Sequence, residues 1–154
     1  MHAPKLISSV WLVTCLVVTV TASVLVFGAD AANSSAKDPV TGLPVYPGIK
    51  DPDPLPKAMV CKSQMEGDFY IVDGYKVDAV ADWYSKELAG FKKYHAIADG
   101  RSQDTFFNSE GTQEVTVTGR PGGPDVYSIS YGRFQPGLSA SQMATFNTGK
   151  QVCK

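Results

Sequence analysis

The chain has 154 residues, of which 44% are hydrophobic and 10% aromatic, with 14 Lys+Arg against 15 Asp+Glu. That length supports one domain with a single core and excludes two, and the apolar share excludes a disordered tail. A net charge of −1, with Lys92–Lys93 as the one adjacent basic pair, supplies no basic stripe, so no nucleic-acid partner is expected.

Residues 1–31 read as a cleavable signal peptide. Lys5 and the amino terminus supply a short charged region, an apolar stretch runs from Val10 to Phe27, and Ala29-Asp30-Ala31 has the small-x-small pattern of a cleavage site. An apolar run of this length also approaches that of an uncleaved anchor, but Thr14, Thr19, Thr21 and Ser23 dilute it. Leu12-Val13-Thr14-Cys15 bears a faint likeness to a lipobox, although the apolar run continues well past Cys15. The expected location is periplasmic or secreted, with membrane attachment only through a retained leader. Losing Lys5 and Asp30 with the leader removes one charge of each sign and leaves the net charge unchanged.

Residues 32–56 form a polar lead-in in which Pro39, Pro44, Pro47, Pro52, Pro54 and Pro56 break any helix or central strand. Its one apolar stretch, Leu43-Pro44-Val45-Tyr46-Pro47-Gly48-Ile49, is expected to lie against the domain. The domain proper is read as 57–154. Residues 59–72 are strand-like, with Gly67 as a bend or bulge. Val77, Val80, Ala81, Tyr84, Leu88 and Phe91 then recur with helical spacing, which predicts an amphipathic helix over 77–91 that ends at Gly90.

Beyond it, strands are expected at 93–98 and 104–108, separated by an Asp99-Gly100 turn. Val115 and Val117, then Tyr127, Ile129 and Tyr131, alternate with Thr and Ser across a Pro/Gly-rich turn, which predicts a hairpin with one wet face. Ser139-Ala140-Ser141-Gln142 has capping-box spacing, so a short helix is expected at 140–147. The fold class is α+β: one amphipathic helix on a mostly antiparallel sheet of four or five strands, in β-α-β-β-β order.

Once the leader with Cys15 is removed, two cysteines remain. Cys61 and Cys153 allow one intramolecular pairing, which export makes chemically reasonable, and free or intermolecular thiols are the alternative. The residues Leu43-Pro44-x-Tyr46-Pro47-Gly48, Phe69-Tyr70-Ile71-Val72 and Val80-x-x-Trp83-Tyr84-x-x-x-Leu88 resemble an uncharacterised family of small exported bacterial proteins. That family pairs an "LPxYPGA" entry with a "V-x-x-F/W-Y-x-x-x-L" helix. The resemblance covers residues 43–91, and Ile49 and Phe91 depart from the usual alanine and tryptophan. It implies residence in the bacterial envelope and assigns no activity.

Reactive constellations are sparse. His95 is the one histidine after the leader, so a two-histidine metal site cannot form within the chain. A small secreted hydrolase with His95 as base and Asp99 or Asp104 as its orienting carboxylate is the catalytic alternative, without a G-x-S-x-G elbow to support it. Met59, Cys61 and Met65 alternate to one face of an extended strand and would suit Cu(I) if Cys61 were reduced. Ordinary core packing is the commoner use of such methionines. Asp99, Asp104 and Glu110 lack calcium-loop order, and neither metal nor cofactor is expected. Trp83 falls at the margin of the helix stripe, where an indole either covers the sheet edge or meets a partner. The leading expectation is a non-catalytic exported module that binds an envelope protein or small ligand, with Trp83, Tyr75 and Tyr46 as contact residues. A secreted toxin or inhibitor is the remaining alternative.

Overall fold

In the computed structural model, which describes residues 35–148, Lys150 and Cys153, the elements run β1 (Asp53–Val60), β2 (Ser63–Ile71), α1 (Val77–Glu87), β3 (Lys92–Ala98), β4 (Arg101–Phe107), β5 (Gln113–Gly119), β6 (Val126–Gln135) and α2 (Ala140–Thr145). The six strands form one sheet in the order β1-β2-β6-β5-β4-β3, antiparallel throughout. The α+β class holds, but the strand count exceeds the four or five expected and the order differs from β-α-β-β-β. The signal-peptide and lipobox readings, at residues 1–31 and Cys15, lie outside the described residues.

The extra strand arises at Cys61-Lys62. The stretch read as one strand, 59–72, folds back on itself there, with Val60 opposite Ser63 and Cys61 at φ 56°. Nothing in the residue types signals that turn, because cysteine is not a usual left-handed residue. Pro54 and Pro56 fit in β1 because it is an edge strand, where a missing N–H costs no ladder bond. Gly67 borders a bulge on the β1 side, pairing with Leu55 where the register slips toward Ala58, and keeps regular register with Gly132 of β6, where a Cβ would sit 1.9 Å from the backbone oxygen of Tyr131.

Between β2 and β3 the chain must cross the sheet from its second position to its far edge. Four strand spacings amount to about 19 Å, and the 11 residues of α1 span about 16 Å, so the helix serves as the crossover. It lies on β4 and β5 and buries Val77, Val80, Ala81 and Tyr84 as the periodicity predicts. Opposite it are Tyr70, Phe106, Val115, Val117, Ile129 and Tyr131. Leu43, Val45 and Ile49 of the lead-in complete this core.

The second face is not wet as expected. Phe107, Phe134, Leu138 and Met143 form a separate core there with Phe146 packed against it; Thr116, read as outward-facing, is buried, and so is Glu114. The short helix α2 provides the cover, and its capping box forms as the Ser139-to-Gln142 spacing predicts. In β6, a register shift at Thr118/Gly119 brings Val126 into the core and leaves Tyr127 outside, under the Arg101 guanidinium. The alternation of Tyr127, Ile129 and Tyr131 therefore breaks at its first member.

Candidate functional site

The three aromatic residues singled out by sequence come together. Tyr46-Pro47-Gly48-Ile49 makes a tight turn in which the Ile49 N–H donates to the Tyr46 carbonyl at 3.2 Å and Gly48 takes φ 88°. Proline second and a left-handed glycine third specify a type II turn. The turn sets the Tyr46 ring between Tyr75, from the β2–α1 loop, and Trp83, from α1. Both neighbours are 5.2 Å away centroid to centroid and both pack edge to face, at 75° and 73°. The Tyr46 N–H donates to Tyr84 Oη at 3.2 Å, and a Cβ on Gly48 would meet Tyr75 Oη at 2.7 Å. All three rings stay half-buried beside the main core.

Beneath them runs a buried polar chain that sequence reading missed. The Tyr84 and Tyr131 hydroxyls share a short hydrogen bond, and the Tyr131 hydroxyl donates to the Pro44 carbonyl at 3.2 Å. The Tyr70 hydroxyl donates to Asp38 Oδ2 at 3.2 Å, and Asp38 Oδ1 accepts from the Thr41 N–H and hydroxyl at 2.8 and 2.6 Å. Burial, and then the charge and hydrogen bond of Asp38, raise the pKa of Asp68. Asp68 Oδ2 has no donor among the described residues. Asp38 and Thr41 have the spacing of a side-chain-closed turn, the one signal that could have flagged this pair. Burial likewise raises the phenol pKa of Tyr70, Tyr84 and Tyr131.

His95 is not alone. Its Nδ1 lies 2.8 Å from Asp104 Oδ1, and Lys93 Nζ lies 3.1 Å from Asp104 Oδ2. Cross-strand register explains the choice between the two candidate carboxylates: His95 stands directly opposite Asp104, whereas Asp99 occupies the β3–β4 turn at φ 51°. The imidazole side chain is 56% exposed, and no serine, threonine or cysteine hydrogen-bonds it among the described residues.

A shallow polar cleft of about 190 Å³ lies near the other edge of the sheet, lined by Lys57, Gln64, Glu66, Arg133 and Gln135. Arg133 Nε donates to Glu66 Oε1 at 2.9 Å, and Lys57 Nζ lies 3.6 Å from Oε2. Arg133 first, and Lys57 to a lesser degree, hold the Glu66 carboxyl below its usual range.

Cys61 and Cys153 form a disulfide. The soft-ligand expectation does not survive this geometry: Met59 lies exposed on β1, Met65 is partly buried on β2, and Cys61 occupies the turn between them. Asp99 and Glu110 sit at opposite ends of β4, and Asp104 is buried within it. Among the described residues no three His, Cys, Asp or Glu side chains gather as metal ligands, and no helix is long and apolar enough to cross a membrane.

Comparison of the chain with protein-family models, with curated proteins and with solved structures returned no match. The resemblance over residues 43–91 thus rests on its motif residues.

Proposed function

We propose that the domain is a non-catalytic binding module, exported to the periplasm or beyond, that meets its ligand or partner protein through Tyr46, Tyr75 and Trp83. The observation that carries this reading is the convergence of three half-buried rings from three separate parts of the chain. Such rings retain apolar area and polar tips at little entropic cost, which suits sugar rings and protein side chains alike. The Cys61–Cys153 disulfide supports an oxidising location.

The test uses a built-in reporter. Trp83 is the one tryptophan beyond residue 31, so its emission reads the patch directly in the leaderless protein. Titration with separated oligosaccharide and protein fractions of the host envelope is expected to shift that emission saturably in one of them. Tyr46→Ala should then weaken binding about tenfold or more. No response in either fraction, or equal binding by Tyr46→Ala, rules the patch out.

A hydrolytic reading has one observation in its favour, the His95–Asp104 hydrogen bond. It requires ester turnover that disappears in His95→Ala.

A further inference from the structure

The two edges of the sheet are built differently. β1 carries Pro54 and Pro56, and its register with β2 slips between Leu55 and Ala58; prolines and irregularities, like edge lysines, are devices by which sheet edges refuse a new strand. β3 has neither proline nor irregularity, and its two lysines, Lys92 and Lys93, stand together at its start. All seven of its residues pair with β4 in unbroken register, and α1 leaves it uncovered by lying on β4 and β5. Ile97 on this edge is 72% exposed.

The β3–β4 turn determines which backbone groups are free. Asp99 and Gly100 both have positive φ, 51° and 71°, between the closing pair Ala98 and Arg101, the signature of a two-residue type I′ hairpin. In such a hairpin the closing pair exchanges both hydrogen bonds, so Ala98, Ala96, Tyr94 and Lys92 bond inward to β4. The N–H and C=O groups of Lys93, His95 and Ile97 then point to the open edge.

An added antiparallel strand must bond to those three residues. For a second copy of β3 this leaves three symmetric registers, with the two-fold axis at Tyr94, His95 or Ala96. The first sets Lys93 opposite the partner's His95, and the second sets it opposite the partner's Ile97. The third sets it opposite the partner's Asp99 and does so twice by symmetry, while His95 faces the partner's Ile97.

We propose that β3 is the contact edge of a homodimer in which two copies of the chain pair antiparallel about a two-fold axis at Ala96. Charge complementarity selects this register, because it alone places opposite charges across the seam. Lys93, already 3.1 Å from Asp104, then lies between its own Asp104 and the partner's Asp99. Each exposed Ile97 is covered by a partner side chain, and the sheet becomes continuous across twelve strands (twice the six of one copy). None of Tyr46, Tyr75 and Trp83 belongs to this strand, so the proposal stands independently of the binding role given to those residues.

Sedimentation velocity of the leaderless, disulfide-closed protein from about 1 µM to about 500 µM is expected to show a reversible monomer–dimer equilibrium. Ile97→Lys should hold the protein monomeric. Asp99→Asn, which keeps a turn-compatible residue, should weaken the dimer about threefold to tenfold. Register is read by cross-linking. Ala96 would face the partner's Ala96 as a non-hydrogen-bonded pair with Cα atoms about 4.5 Å apart, within disulfide range. Oxidised Ala96→Cys should therefore give a covalent dimer, and His95→Cys and Tyr94→Cys should not. Intact mass and circular dichroism confirm that each variant is folded with Cys61–Cys153 closed. A monomer at every concentration, a dimer indifferent to Ile97→Lys, or cross-linking at Tyr94 or His95 in place of Ala96 overturns the proposal.

Discussion

Glu114→Gln should remove most of the fall in stability between mildly acidic and mildly basic pH. Glu114 is 1% exposed, opposite Phe107 across the β4–β5 ladder and beside Gly132, where a Cβ would come within 2.9 Å of its Oε1. The Thr116 hydroxyl donates to Oε2 at 2.7 Å, but burial dominates and pushes the carboxyl from 4.5 up to about 8. The folded chain thus holds a proton that the unfolded chain releases. Below pH 4.5 both states are protonated and the stability is fully present. From there to about pH 8 it declines, because ionisation favours the unfolded state, and above about pH 8 it levels off. The shift, 8 minus 4.5, is 3.5 units, and at about 1.4 kcal/mol per unit it amounts to about 5 kcal/mol. Glutamine does not ionise and can still accept from Thr116. Urea unfolding of both proteins, followed by Trp83 emission between about pH 4 and about pH 9, should give a difference that is flat in acid and then grows in favour of the variant. Parallel curves across the whole range would show that Glu114 ionises normally in the fold, and the reasoning from burial would fail.

Two further substitutions test the packing and the bridge. Gly67→Ala brings a methyl group within 1.9 Å of the Tyr131 carbonyl oxygen and must push β2 from β6, at a cost of about 2–4 kcal/mol. Gly74→Ala, at φ 82° with open space around it, should cost about 1 kcal/mol; equal urea midpoints would refute the steric account. Replacing Cys61 and Cys153 together by serine opens a link between residues 92 apart and should lower stability by about 4–5 kcal/mol in the chain-entropy model. A loss below about 1 kcal/mol would mean that packing alone holds the tail.

The parts of this fold legible in sequence are those whose signal is local. The α1 stripe, the Asp99-Gly100 turn and the Ser139 capping box are each written within a few neighbouring residues; the turn and the box form as predicted, and the stripe does so through Tyr84, although the helix stops at Glu87, short of the Phe91 expected. The Cys61-Lys62 turn was hidden because its residue types say nothing about left-handed backbone. Alternation misled in β5, where Thr116 looks solvated, since the cover comes from α2, more than 20 residues away in sequence. The site divides in the same way. Aromatic content pointed to Tyr46, Tyr75 and Trp83, whereas the pairing of Asp38 with Asp68 depends on the lead-in folding across β2, and residue spacing alone does not encode that contact.

The Cys61–Cys153 bridge also governs how the chain carries tension. A pull applied at its two ends passes from residue 61 straight to residue 153, and the 92-residue separation between them is mechanically bypassed. At about 3.4 Å per residue, about 310 Å of contour length stays locked away until the sulfur–sulfur bond is reduced. Five of the six strands and both helices lie inside that shielded loop. Under load, the lead-in and β1 are the portion free to peel, which takes Leu43, Val45 and Ile49 from the core beneath the helix while its strands and α1 stay linked.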